Sequence, residues 1–176
     1  MENKEEMQRF TLSLLVNNHA GVLQRVVGLF SRRGYNIVTL SVGETQDNKI
    51  SRMTIVVLGN QAIVRQIKNQ VEKLIDVKRV RILEDKPSIE SELLLVKLST
   101  ENNKRSSVVE LGELFKAKVK DVTLSTITLE IVGTVQKIET FLTLAEEYGI
   151  VEIARTGIAA LERGPIALRD TLYEEV

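Results

Sequence analysis

The chain has no cysteine, no tryptophan, a single histidine and only two prolines. Without thiols there are no disulfides, no thiolate metal sites and no cysteine nucleophile. One histidine cannot build a histidine metal cluster. Aromatic residues make up 4% of the sequence, too few for a base-stacking surface. Lys and Arg number 24, as do Asp and Glu, so the formal net charge is zero and bulk charge recruits neither nucleic acid nor anionic membrane. No apolar run approaches the roughly 20 residues of a membrane span. The N-terminal MENKEEMQ carries both signs of charge and no apolar core, unlike a signal peptide. A soluble cytoplasmic protein, partnered by neither nucleic acid nor membrane, is expected. Its 176 residues allow one large domain or two small ones.

Hydrophobic periodicity is plentiful. Phe10, Leu12, Leu14 and Val16 alternate as in a strand. From Gly21 the period changes: Val22, Leu23, Val26, Val27, Leu29 and Phe30 form an apolar helical stripe, and Gly34 is the stop. Ile37–Val42 and Arg52–Leu58 read as strands joined by the polar turn ETQDNK. Gly59-Asn60 opens a second helix with Ile63, Ile67, Val71 and Leu74 at helical spacing, and Val77–Leu83 closes the unit as a strand. The charged EDKPSIESE, holding one of the prolines, reads as a linker. The order then repeats, with strands at Leu93–Leu98, Asp121–Ser125, Ile127–Val132 and Ile150–Arg155. Helices are marked by Val108, Leu111, Leu114 and Phe115, and by Ile138, Phe141, Leu142, Ala145 and Tyr148. The expected fold is α+β: two ferredoxin-like βαββαβ domains, each an antiparallel sheet with both helices on one face. The divisions are residues 8–84, a linker at 85–91, a second domain at 92–157, and a C-terminal tail at 158–176 with at most a short helix.

An enzyme needs a nucleophile, an acid–base pair or a grip on a cofactor. Neither GxGxxG nor GxxxxGK[ST] occurs, acidic residues lack metal-ligand spacing, and His19 has no carboxylate near it in sequence. Arg32-Arg33 and Lys78–Arg81 read as solvated faces. The stretch NNHAGVLQRV, residues 17–26, stands out, because polar residues and a glycine separate a strand from a helix start. Unpaired backbone N–H groups and the positive dipole end there suit a carboxylate. Gly21 presents no side chain to a ligand, and Asn18 and Asn36 carry carbonyl oxygens that can accept from an ammonium group. These are the parts an amino-acid zwitterion needs. They are equally the parts of an ordinary turn, and Asn36 could simply satisfy a strand entry.

The residues NNHAGVLQRVVGLFSRRGYNI resemble the strand-to-helix region of an ACT domain, the small-ligand-sensing βαββαβ module. Together with SRMTIVV and the second half through EIARTGIAALERG, they resemble the regulatory small subunits of acetolactate synthase (acetohydroxyacid synthase). The likeness runs from about Arg9 to Gly164. It implies a non-catalytic partner of the large catalytic subunit of acetolactate synthase. That large subunit is expected to carry thiamine diphosphate, magnesium and FAD, with no cofactor in this chain. It also implies a homodimer through the ACT domain and valine bound between two such domains. By motif position the ligand residues fall on Asn18, His19, Ala20, Gly21, Val22, Leu23, Asn36 and Gly43. His19-Ala20 replaces the acidic or polar residue and Pro or Ser common before the glycine, leaving backbone donation intact.

The second half has no glycine in its first turn, STENNKRSSVVEL, where Lys104 and Arg105 stand instead. No valine is expected there. A free-standing amino-acid sensor acting on another enzyme or a transcription factor is the alternative, and the empty inventory of catalytic groups disfavours an independent enzyme.

Overall fold

The computed structural model describes residues 7–83 and 88–170. The expectations for residue 84, for 85–87 of the linker and for 171–176 of the tail lie outside the described residues. Contacts divide the chain into two units, one comprising residues up to Ile89 together with those from Ala159 onward, the other Glu90–Ile158.

In the first unit β1 (Gln8–Asn17), α1 (Val22–Arg32), β2 (Ile37–Glu44), β3 (Ile50–Gly59), α2 (Gln61–Val71) and β4 (Val77–Leu83) follow in order. The sheet is antiparallel with strand order β2-β3-β1-β4. Alternation decides the faces. Leu12, Leu14, Val16, Met53, Ile55 and Val57 point to one side and are buried. They meet Val22, Val26, Leu29 and Phe30 of α1 and Val64, Ile67 and Val71 of α2 in one apolar cluster. Gly34, at φ 69°, lets the chain leave α1 in a left-handed turn, as expected of a glycine beyond the last helical residue. Asn60 caps α2, its side-chain oxygen accepting from the Ile63 N–H at 2.8 Å.

The opposite face of this sheet is not open throughout. Thr11, Ser13 and Thr54 lie on it and are buried all the same. The cover comes from residues expected to form a separate tail. A short strand, β9 (Ala159–Glu162), lies against β1, and a 3-10 turn, Leu168–Asp170, lies against β4. Ala160 and Leu168 are the buried anchors, and Arg81 pairs with Glu162. The tail reading is corrected accordingly: its spaced apolar residues were enough to dock it on a sheet face.

The second unit holds β5 (Ser88–Ser99), whose first two residues belong to the first unit, α3 (Arg105–Leu114), β6 (Lys118–Val122), β7 (Thr126–Gly133), α4 (Val135–Ala145) and β8 (Ile150–Arg155). Its strands run in the path β6-β7-β5-β8. Leu94, Val96, Leu98, Ile127, Leu129 and Ile131 face Val108, Leu111, Ile138, Phe141 and Ala145 in a second core. β5 begins at Ser88, so 88–91 is strand where a linker was expected. β6 lies three residues earlier than the sequence suggested, and all five of its residues are exposed. Buried Glu92 is held by a bidentate bond from Arg155, whose Nε and Nη2 both donate at 2.8 Å. That bond to Glu92 raises the Arg155 pKa above its ordinary value.

Two stability measurements test this packing. Asn60→Ala should cost about 1 kcal/mol through the lost cap, read as a lower denaturation midpoint. Leu168→Ala should cost about 2 kcal/mol, at the low end for a buried leucine because the site is at the rim. An unchanged midpoint for Leu168→Ala would mean that the C-terminal segment contributes nothing to the first unit.

Candidate functional site

The loop between β1 and α1 is tied down on three sides. Asn17 N–H donates to the Asp76 carbonyl at 2.8 Å, and Asn18 N–H to that of Lys49 at 2.7 Å. The Asn18 amide nitrogen donates again to the Asn48 carbonyl at 2.8 Å and to Glu44 Oε1 at 3.0 Å. The side chain is therefore oriented, with its amide donors turned to the β2–β3 hairpin and its carbonyl oxygen left to face outward.

Asp76, at the entry to β4, is the third tie. Its side chain is 7% exposed and collects three donors or ring nitrogens. Asn17 Nδ2 donates at 3.1 Å, His19 Nε2 stands 3.0 Å away, and Arg25 Nη1 of α1 donates to the other oxygen. The hydrogen bond from Asn17 holds the Asp76 pKa below the usual carboxylate range; burial opposes this, and Arg25 and His19 add to it. The sequence reading found no partner for His19. The partner comes from 57 residues further on, where a lone acid sits between Ile75 and Val77. That isolated carboxylate at a strand entry was the only signal available.

Gly21 adopts φ 87° as the N-cap of α1. A Cβ there would meet nothing within 4 Å, so the left-handed backbone, rather than crowding, calls for glycine. Neither a capping side chain nor an acidic residue in the first turn satisfies the helix start. The first turn's positive end is thus available to a ligand's carboxylate.

The remaining expected residues are spread out. His19 and Ala20 are exposed on the loop, and Leu23 is 44% exposed beside it. Val22 is buried in the helix-side core, so only its backbone can face a ligand. Gly43 lies inside β2, next to Glu44, and shares the loop's end of the sheet. Asn36 does not. It is exposed just before β2, whose eight residues then run the length of the sheet to Glu44. At about 3.3 Å per residue that is about 25 Å. One chain therefore brings Asn18, Gly21 and Gly43 to one end and leaves Asn36 at the other.

The corresponding turn of the second unit is built differently. Asn102 and Asn103 take the positive φ values, 55° and 62°. Lys104 Nζ donates to the Glu147 carbonyl at 2.7 Å, and Arg105 Nη2 to those of Thr123 at 2.6 Å and Leu124 at 3.0 Å. Among the described residues no three His, Asp or Glu side chains are placed to hold a metal ion, and no helix is long and apolar enough to cross a membrane.

Known proteins of similar sequence and architecture agree with one another. Residues 12–79 match an AHAS small subunit-like ACT domain, and residues 91–164 match the small subunit of acetolactate synthase. The acetolactate synthase small subunit of Mycolicibacterium smegmatis is 44% identical over 155 residues, 88% of this chain and 91% of that protein. The small subunit of acetolactate synthase isozyme 3 from Escherichia coli is 41% identical over 162 residues, 92% of this chain and 99% of its own length. The crystal structure of the Thermotoga maritima acetolactate synthase small subunit superposes with a TM-score of 0.83 at 34% identity. The superposition covers 90% of this chain and 99% of that one. The chain belongs to the acetolactate synthase small-subunit family.

Proposed function

We propose that this chain is the non-catalytic regulatory subunit of acetolactate synthase, that it activates the thiamine-dependent large subunit, and that valine bound at the β1–α1 loop imposes feedback inhibition. The loop supplies what a zwitterion requires. Backbone N–H groups at the uncapped start of α1 take the carboxylate, and the outward Asn18 carbonyl oxygen accepts from the ammonium.

The separation of Asn18 from Asn36 is the observation that carries the reading, because it calls for a second copy. β2 is an edge strand of the first sheet. When two copies of β2 pair antiparallel about a two-fold axis, the start of one strand lies beside the end of the other. The partner subunit's Asn36 is then set beside Gly43 and Glu44, and Glu44 accepts from Asn18. Each pocket would combine the loop of one protomer with Asn36 from its partner, and a dimer would hold two. Pairing also covers an otherwise exposed strand edge. Valine bound across the seam can favour one arrangement of the dimer only by binding it better than the other. A coupling of about 1–3 kcal/mol, 5–150-fold in affinity, is ordinary for such a device.

A subunit-mixing experiment tests this directly. Asn18→Ala and Asn36→Ala should each weaken valine binding by about 1–3 kcal/mol, measured by calorimetry. A mixed dimer of the two variants keeps one pocket with both asparagines and should regain one strong valine site. If both asparagines served the same chain's pocket, mixing would restore none.

Gly21→Asp should abolish valine binding by placing a carboxylate where the ligand's own carboxylate approaches. Gly21→Asn, a residue that tolerates positive φ, controls for backbone strain and should fold normally. Valine inhibition undiminished in the Gly21→Asp complex would remove the loop from the site.

Asp76 gives a pH signature. Its pKa is lowered in the folded chain, so its contribution to stability is present above the unfolded carboxylate pKa of about 3.9 and is lost as pH falls through the lower folded value. Asp76→Asn should flatten the acid limb of the stability curve and, by loosening the loop, weaken valine binding at neutral pH. An acid limb identical to the parent's would show that the carboxylate does not hold the loop.

A further inference from the structure

The imidazole of His19 faces an acceptor at each of its two nitrogens. Nε2 stands 3.0 Å from Asp76 Oδ1, and Nδ1 stands 3.1 Å from the carbonyl oxygen of Ala20. A neutral imidazole carries one N–H. Whichever nitrogen holds it, the other then turns a lone pair towards an oxygen. Only the imidazolium donates to both. His19 is also the single histidine of the chain, and imidazole is the side chain whose ordinary charge change falls between about pH 5 and 8.

The Ala20 carbonyl shares its peptide with the Gly21 N–H. That peptide is trans, and in a planar trans unit the carbonyl and the N–H point in opposite directions. A ring drawn onto the Ala20 oxygen therefore turns the Gly21 N–H away from itself. The N–H has no partner among the described residues. It lies at the uncapped start of α1, where an anion is favoured. The charged groups around the ring are already placed. The Asn17 hydrogen bond holds Asp76 below the usual carboxylate range, and Arg25 on α1 takes the other Asp76 oxygen. On the β2–β3 hairpin, Glu44 accepts from Asn18 and Asp47 from the Lys49 N–H, while Lys49 meets the loop through its carbonyl.

We propose that His19 is a positioning residue for the ligand's carboxylate, its imidazolium fixing the Ala20 carbonyl and thereby aiming the Gly21 N–H. The ring also brings a positive charge beside the helix start. Valine then binds with uptake of a proton, and its affinity falls as pH rises through neutrality. Below that range both ring contacts are hydrogen bonds; above it one of them sets a lone pair against an oxygen. A free amino acid stays zwitterionic throughout, so the change belongs to the protein. This role rests on the valine reading of the loop and deepens it. A ring that merely filled space would give neither proton uptake nor a slope with pH.

Calorimetric titration of valine into the full chain at about pH 5 and about pH 8, the two ends of the imidazole range, tests the role. Affinity should be roughly two- to tenfold lower at the higher pH, the scale of one lost hydrogen bond. Midway between them, binding heats in buffers of different ionisation enthalpy should show net proton uptake. His19→Gln, at a half-exposed side chain, should bind valine weakly, equally at both pH values and without uptake. Equal affinities in the parent chain, absence of proton uptake, or a slope that survives in His19→Gln would each overturn the proposal. The buffer comparison needs no variant and decides the matter if His19→Gln fails to fold. Absence of valine binding at every pH would instead remove the valine reading, and this role with it.

Discussion

Asp76 is the fixed point around which the β1–α1 loop is organised. It gathers an amide from the end of β1, an imidazole from the loop and a guanidinium from the first helix, all onto one nearly buried carboxylate at the mouth of β4. Three elements that part company at this corner are thereby kept in register. The second fixed point is Asn18, whose amide binds the β2–β3 hairpin through Glu44 and the Asn48 carbonyl. Between them the helix start is presented without a capping side chain. The loop is hydrogen-bonded to the protein on its inner side, and its helix start carries no capping side chain on the outer one.

Most of the architecture was legible because each element carries its own period. β4 and β8 have the bounds that alternation suggested, Val77–Leu83 and Ile150–Arg155. Failures occur where period and burial part company. β6 is an edge strand with every residue exposed, so no apolar alternation marked it. The charged start of β5 resembles a linker because Glu90 and Glu92 fall within the strand, although Glu92 is buried against Arg155. Turn chemistry and family resemblance single out the loop residues in the sequence. Their supports, Asp76 and Glu44, are not singled out, because their significance depends on contacts 57 and 26 residues apart in the chain. Nor could sequence place Asn36 at the far end of β2 from the loop, since that follows from the direction of the strand.

The two units solve the same strand-to-helix turn by different chemistry. In the first, one glycine takes a left-handed conformation and leaves the helix start bare. In the second, two asparagines take left-handed conformations, and the cations that follow spend their donors on carbonyls of neighbouring loops. A shared topology thus offers a receptive corner in one copy and a self-satisfied one in the other.

The C-terminal segment gives the first unit a discontinuous chain. Its sheet is built from the earliest residues, but part of the cover on one face is supplied by Ala160 and Leu168. At ordinary translation rates of about 5–20 residues per second, the intervening unit of Glu90–Ile158 takes several seconds to emerge. Throughout that interval the nascent first sheet shows Leu15, Thr11 and Thr54 to solvent on the face that is later covered. Completion of the N-terminal half therefore waits for the segment that follows the second unit, and a chain broken off before that segment leaves a sheet with one side unfinished.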